Sequence, residues 1–545
     1  MSLQLVTQPN WLARSRLVVA AAGKPGRQGV AAAAAAAETV LKSAAADGAA
    51  SSLAADASNA EGEPFSWLEC WYPLAPVSFL DAPKPHAMQL LGIDLVVWRD
   101  DQTGTWAAAR DCCPHRLARL SDGLVLGGSL SCKYHGWEFS TTGECTRLPQ
   151  APGADAEQRA CTSARCHLAT FPIKARAGLA SCGPGEPRLE SRAPAAHAEQ
   201  GMLFVWPSDD PATWVAAEAT PLPLVPENDD PTWFRGADDG AWGYQLMPVD
   251  FAVAQENPFD PSHAPYLHDR TLNMRREDSV PMAMHLEGKV GPQGFLVSHG
   301  GYLKSNESME GTRQFIPPCT ARQGRLHIAT PRQWVDYRYQ NGTRQLFTIY
   351  TTPAGPGNSH LSFKLVTTPP PAPVRLLWNV LPPWLMHIGG AADEDRTILH
   401  GQQQVLQSQG WPKAPHYFLP TPSDTGVVSF RKWLREFGGG EVPYEGRPAS
   451  AAARLTKEQL LNRAALHTSS CTACQQGLAT ARAGAGAAAV ALAAEAVAAG
   501  AVLLKAYVWA QAPPLRTLAA LAAWALAAAV FRTGEWHRRP WCACP

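Results

Sequence analysis

Two cysteines and two histidines carry the clearest chemistry in this chain: Cys113-Pro114-His115-Arg116 and, with sixteen residues between His115 and the next cysteine, Cys132-Lys133-Tyr134-His135-Gly136-Trp137. The order Cys-x-His…Cys-x-x-His offers two thiolates and two neutral imidazoles. That is the donor set of a [2Fe–2S] cluster in which sulfur holds one iron and nitrogen the other. Each loop then gives one ligand to each iron. Cys2His2 is also a zinc donor set, but zinc pairs usually join Cys with Cys and His with His across two or more residues, whereas both pairs here are mixed. Pro114 stiffens the first loop by fixing φ, and Gly136 lets the second pass close to the cluster.

A second group lies well downstream, in Glu256-Asn-Pro-Phe-Asp260-Pro-Ser-His263-Ala-Pro-Tyr-Leu-His268. Two histidines five apart beside a carboxylate begin a 2-His-1-carboxylate triad, which holds Fe(II) on one face and leaves positions open for O2 and substrate. Such a pair alone is weak evidence, because histidines at that spacing also occur in cores and on surfaces. Behind a cluster-binding loop pair it gains meaning. Hydroxylating a carbon with O2 needs an electron that one ferrous ion does not readily supply, and a neighbouring cluster stores it. A plain electron carrier would need neither His263 nor His268. The third ligand should be a carboxylate far along the chain, and Asp393, Glu394 and Asp395 stand together there.

These loops need rigid supports. Leu95-Val-Val-Trp98 and the residues from Trp106 read as strands leading to the first loop; Glu138-Phe139 reads as a strand after the second, with a tight turn at Thr141-Thr142-Gly143. Gly201 to Pro207 is a further strand. Between it and Ala177-Gly178, residues 179–200 are rich in Gly, Pro, Ser, Ala and Arg without periodicity, as in a surface loop. From about Thr213 onward, longer strands and loops point to a second domain.

The 545 residues allow two or more domains. A formal net charge of zero gives no field for nucleic acid, and 19 Trp suit all-β or mixed domains that bind large apolar ligands. The 13 Cys are scattered, as in a reducing compartment without a disulfide framework.

From Cys70-Trp-Tyr-Pro73 through Leu148-Pro-Gln150 the chain resembles the Rieske domain of ring-hydroxylating oxygenases. It is similar to their plant and algal branch, which contains pheophorbide a oxygenase, chlorophyllide a oxygenase and a Rieske component of the chloroplast inner-envelope translocon. The resemblance covers roughly Ser66 to Cys474. It implies an α+β fold: an N-terminal all-β Rieske [2Fe–2S] domain, a C-terminal mixed α/β mononuclear-iron domain of helix-grip type, and a C-terminal helical hairpin. It implies that Cys113, His115, Cys132 and His135 bind the cluster and that His263 and His268 bind the iron. Asp260 becomes a bridge, accepting hydrogen bonds from a Rieske histidine and from His263 so that electrons pass between the metals. The family's ligand Asp precedes a helix of the form x-x-x-Leu-x-Gly-Gln, a register that Asp395 matches best, with Asp393 in reserve; His400 is read as a packing or surface residue. Head-to-tail homotrimers, O2, reduced ferredoxin and a tetrapyrrole substrate follow from the same resemblance. So does a redox-regulatory role for Cys471 and Cys474, in His-x-x-x-Cys-x-x-Cys, answering to thioredoxin; zinc is the alternative for that pair.

The ends complete the reading. Residues 1–37 contain no Asp or Glu and include Arg14, Arg16, Lys24 and Arg27, the composition of an organelle transit peptide. Residues 483–504, broken only by Glu495, and 515–531 could form a membrane hairpin, although Glu495 at mid-membrane would cost roughly 2.5–3.5 kcal/mol if charged. The expected layout is 1–65 chloroplast transit peptide and linker, 66–212 Rieske domain with its insertion at 179–200, 213–465 catalytic domain, 466–482 redox segment, 483–532 membrane anchor and 533–545 tail. The catalytic parts would face the stroma from the inner envelope or thylakoid membrane. Two functions fit: oxygenation of pheophorbide a or chlorophyllide a, or redox sensing within the import translocon.

Overall fold

The computed structural model describes residues 65–80, 83–174, 199–235, 242–271, 274–306, 309–324, 337–338, 344–372, 375, 391–411, 415–446 and 452–483. The transit-peptide, membrane-hairpin and tail expectations lie outside these residues, as does most of the 179–200 insertion. No helix among the described residues is long and apolar enough to cross a membrane.

The N-terminal half is built from short antiparallel strands: β1 (Tyr72–Pro76), β2 (His86–Leu90), β3 (Ile93–Arg99), β4 (Trp106–Arg110), β5 (Leu124–Leu126), β6 (Ser129–Ser131), β7 (Glu138–Phe139), β8 (Cys145–Arg147), β9 (Thr170–Phe171), β10 (Ile173–Lys174) and β11 (Met202–Val205). They form three sheets, ordered β2-β3-β4-β9, β5-β6-β7-β8 and β1-β11-β10. The strands expected around Leu95, Trp106, Glu138 and Met202 are all present. The turn after β7 closes through Gly143 N–H donating to Ser140 O at 3.0 Å, with Gly143 at φ +85°. That left-handed conformation is cheap only for glycine.

The remainder is one large antiparallel sheet of β12 (Gly243–Met247), β13 (Met284–Leu286), β14 (Phe295–Gly300), β15 (Glu310–Ile316), β16 (Thr320–Gly324), β17 (Tyr337–Arg338), β18 (Arg344–Gly355) and β19 (Asn358–Thr367). Its order is β12-β19-β18-β16-β15-β14-β13, with β17 pairing β15 and β18. Buried and half-buried residues alternate along Phe295–His299, the period-2 pattern of a strand with one face in the core. The helices that matter here are α1 (Phe251–Ala254), α2 (Ala264–Leu267), α3 (Ala391–Ser408), α4 (Thr425–Glu436), α5 (Arg463–Leu466) and α6 (Thr472–Ala483). Helix α4 packs on β13 and β14 and inserts Phe430 and Trp433, both fully buried, among Phe259 and Phe315.

Around the cysteine–histidine loops, Trp98, Leu120, Leu130 and Phe139 form a buried cluster of their own, while another cluster crosses the boundary expected near residue 212. Trp67, Tyr72, Leu95 and Val205 share one buried cluster with Phe251, Phe315 and Trp433. Polar contacts cross the same line: Trp67 Nε1 donates to Gly438 O at 2.9 Å, and Arg110 pairs with Glu445 at 3.0 Å. The two halves therefore bury their apolar faces against each other.

Candidate iron and iron–sulfur sites

The loop between β4 and β5 carries Cys113 and His115, and the loop between β6 and β7 carries Cys132 and His135. Both loops are closed by main-chain hydrogen bonds: Cys113 N–H to Ala118 O at 2.9 Å, Cys132 N–H to Trp137 O at 2.8 Å and Gly136 N–H to Cys132 O at 2.8 Å. Gly136 sits at φ +71°, and a β-carbon there would lie 3.3 Å from Pro149 Cγ. Both the turn and the close approach call for glycine.

The donors divide by depth. Cys113 and Cys132 are buried at 2% exposure, whereas His115 is exposed and His135 partly so. Burial is the largest influence on the Cys113 thiol, and it pushes the pKa up to about 12 against the opposing pull of the His115 and Arg116 main-chain N–H groups. Those same amides would favour a metal-bound thiolate, the form in which cysteine ligates. The two imidazoles lie 4.6 Å apart between ring centroids, and His115 stacks on Trp137 at 4.5 Å and 4°. Gln150 Nε2 donates to His135 O at 2.8 Å. Trp137 and Gln150 flank the motif in sequence, and their contacts with the histidines are visible only in space.

The second site draws on two remote segments. Asp260 and His263 lie in the short 3-10 turns between α1 and α2, His268 follows α2, and Asp395 projects from α3. His263 Nε2 and His268 Nε2 each lie 3.4 Å from Asp395 Oδ1, and the three donor atoms fall within 4.8 Å of one another. The other ring nitrogens are occupied. His263 Nδ1–H donates to the main-chain carbonyl of Asp260, and His268 Nδ1–H donates to Glu394 Oε2 at 2.6 Å. With both Nδ1 atoms engaged, the two Nε2 atoms and a carboxylate oxygen face one another, with Asn257 Nδ2 3.4 Å from His263 Nε2, a donor set that a cation would fit.

Electrostatics agree with that reading. Burial alone would lower the pKa of His263, but the neighbouring Asp260 and Asp395 carboxylates outweigh it and raise the pKa to about 9. His268 is raised in the same way, with Asp395 and then Glu394 overcoming burial. Burial would raise Asp395, yet the adjacent His263 and His268 bring it down to about 2. The pocket thus favours positive charge beside an ionised carboxylate, and the chemistry of its donors fits a divalent metal such as iron.

Asp395 is not placed before the helix, as the motif register implied, but one turn inside it, because α3 begins at Ala391. Asp393 points away, paired with Arg396 at 2.9 Å and Arg463 at 3.4 Å. His400 is buried at 3%, its Nδ1 donating to Pro248 O at 2.9 Å, so it packs. The Asp260 carboxylate stands 3.7 Å from His263 Nδ1, longer than a hydrogen bond, with Oδ1 instead capping Ser262 N–H at 3.0 Å. Its side chain is 35% exposed and open to another partner. Two residues were missed as partners. Asn257 Nδ2 donates to Asp395 Oδ1 at 3.1 Å, and Glu394 holds His268 while accepting from Thr271 Oγ1 at 2.9 Å. A cleft of about 760 Å³ opens over β13–β15 beside Met282, His285, His299 and Thr312, and none of the metal donors lines it. Cys471 and Cys474 come together with His467 away from both iron sites.

Comparison with known proteins follows this geometry. The Rieske [2Fe-2S] domain matches residues 70–172, and Pheophorbide a oxygenase matches residues 315–413. The chain is 31% identical over 446 residues to pheophorbide a oxygenase of Arabidopsis thaliana, covering 76% of this chain and 73% of that one. It is 28% identical to protochlorophyllide-dependent translocon component 52 of Arabidopsis thaliana, covering 76% of this chain and 73% of that one. It is 29% identical to flavonoid 8-hydroxylase 2 of Ocimum basilicum, covering 75% and 73%. The cofactors of this fold are a Rieske [2Fe–2S] cluster and a mononuclear iron, and the chain belongs to the pheophorbide a oxygenase branch of the Rieske-type oxygenases.

Proposed function

We propose that this oxygenase uses O2 and electrons from reduced ferredoxin to oxygenate a chlorophyll-type tetrapyrrole, pheophorbide a or chlorophyllide a, in the chloroplast. The observation that carries the chemistry is the convergence of His263, His268 and Asp395 downstream of a Cys2His2 loop pair. The substrate class rests on the relatives, several of which are chloroplastic and named for chlorophyll-type pigments.

In this reading Cys113 and Cys132 hold one iron of the cluster, His115 and His135 the other, and the triad holds the mononuclear iron. When bound, these groups supply stored electrons and the reduction of O2. The protein does the rest. Glu394 and the Asp260 carbonyl keep the two histidines in the tautomer that presents Nε2. Asn257 keeps one Asp395 oxygen aimed between them. The exposed ring of His115 and the partly exposed ring of His135 can meet a neighbouring molecule, which supports a head-to-tail homotrimer with the half-exposed Asp260 carboxylate as its electron bridge. Residues 483–532 would anchor the chain to the membrane, and a Cys471–Cys474 disulfide would answer to thioredoxin.

The testing experiment incubates iron-replete protein with ferredoxin, O2 and a panel of pheophorbide a, chlorophyllide a and protochlorophyllide a, with products read by mass. A mass gain of oxygen on one pigment is expected. Reduction of both metal sites without a product from any pigment would favour the translocon redox-sensor reading, which the similarity to translocon component 52 supports. Asp260→Asn keeps the cap on Ser262 and should retain both metals while slowing electron delivery, so mononuclear-site reduction at the wild-type rate in a single turnover would remove the bridge.

A further inference from the structure

Away from both iron sites, a third set of donors converges where the chain leaves the catalytic sheet. His467 directly follows α5, and Cys471 and Cys474 stand at the start of α6. His467 Nδ1–H donates to Tyr244 O on β12 at 2.6 Å, which fixes the tautomer and turns the Nε2 lone pair toward Cys474 Sγ, 3.3 Å away. Cys471 Sγ accepts the Cys474 N–H at 3.3 Å, an N-terminal capping geometry that favours a thiolate. The three donor atoms lie within 4.8 Å of one another. Cys471 is 1% exposed and His467 6%, while Cys474 is half-buried and leaves an approach from one side.

A dithiol that only forms a disulfide needs two sulfurs. It does not need a buried imidazole whose far nitrogen is pinned to a strand carbonyl, which is how metal-bound histidines are oriented. Two thiolates and an imidazole are soft and borderline ligands that suit zinc and reject magnesium, calcium and manganese. We propose that the reduced His467–Cys471–Cys474 cluster is a Zn²⁺ site, with solvent or an added ligand in the fourth position, that fastens the α5–α6 segment to β12. Binding releases the two thiol protons, and no electron is transferred. The site is compatible with redox control, because a Cys471–Cys474 disulfide leaves zinc only one ligand. It does not depend on the identity of the oxygenase substrate.

The test uses full-length, cluster-loaded protein, reduced under anaerobic conditions, given zinc and then desalted. About one zinc per chain should remain beyond the iron content, falling to roughly a tenth in Cys474→Ser and His467→Gln. Iron content and the Rieske EPR signal should be unchanged. Zinc held at the His263–His268–Asp395 site would survive both substitutions, so the difference reports this cluster alone. Cobalt in place of zinc should give a thiolate charge-transfer band in the wild type that vanishes in Cys474→Ser. Wild-type protein that retains no zinc while both cysteines stay reduced and thiol-reactive would overturn the proposal. Undiminished zinc in His467→Gln would overturn it equally.

Discussion

His263→Ala is expected to abolish oxygenation while leaving the Rieske EPR signal at wild-type intensity. Among the described residues its Nε2 is one of three donor atoms converging on the candidate mononuclear site, and the partner oxygen of Asp395 is already shared with His268 and Asn257. Two donors cannot define an open triad. The loss of activity should therefore exceed the roughly 10–100-fold cost of removing a supporting hydrogen-bond partner. The cluster ligands stand on different elements, the loops after β4 and β6, whose closure depends on main-chain bonds at Cys113, Cys132 and Gly136. Nothing in those bonds involves His263. Steady-state turnover and low-temperature EPR on the same preparation decide the matter. Loss of the cluster signal in this variant would contradict two separate sites, and substantial remaining turnover would contradict iron ligation by His263.

Glu394→Ala should weaken Fe(II) binding by about 10–100-fold, the usual cost of losing the carboxylate behind a metal-bound histidine. Glu394 bridges the His268 segment to α3 through the 2.6 Å bond from His268 Nδ1–H and the 2.9 Å bond from Thr271 Oγ1. Without it, His268 loses the acceptor that fixes its tautomer and ring angle, and α3 loses a tie to the loop it must face. Glu394→Gln can still accept one of these bonds and should fall between alanine and wild type. The readout is competition with a ferrous chelator on reduced protein, which reports affinity independently of turnover. Equal iron retention in Glu394→Ala and wild type would show that the contact is incidental to the metal.

Why Glu394 escaped the sequence reading shows where local pattern stops. Asp393, Glu394 and Asp395 form an acidic run, and a run has no preferred member until it is wound into a helix. In α3 successive residues turn by about 100°, so Asp393 and Asp395 point about 200° apart. Asp393 therefore meets Arg396 and Arg463, while Glu394 and Asp395 share the side that faces the histidines. The motif register chose Asp395 but set it ahead of the helix, because a short pattern does not locate a helix start to within a turn.

The sequence by itself determined the parts whose ligands are close together along the chain. Cys113 with His115, Cys132 with His135, and His263 with His268 each sit on one short loop, so spacing alone limits which metals and geometries they can serve. The strands before the first cluster loop and after the second were legible too, at Leu95–Trp98, Trp106 and Glu138–Phe139, whereas β5 and β6 between the loops were not. Only the tertiary structure decided which carboxylates face the two histidines, that Asp260 offers His263 its carbonyl rather than its carboxylate, that His467 joins Cys471 and Cys474, and that one buried cluster runs across both halves. Those contacts join segments separated by 126 residues for His268 and Glu394 and by 223 for His467 and Tyr244. At such separations the partner is selected by how whole elements pack, and a pattern that repeats every two to four residues holds no record of that choice.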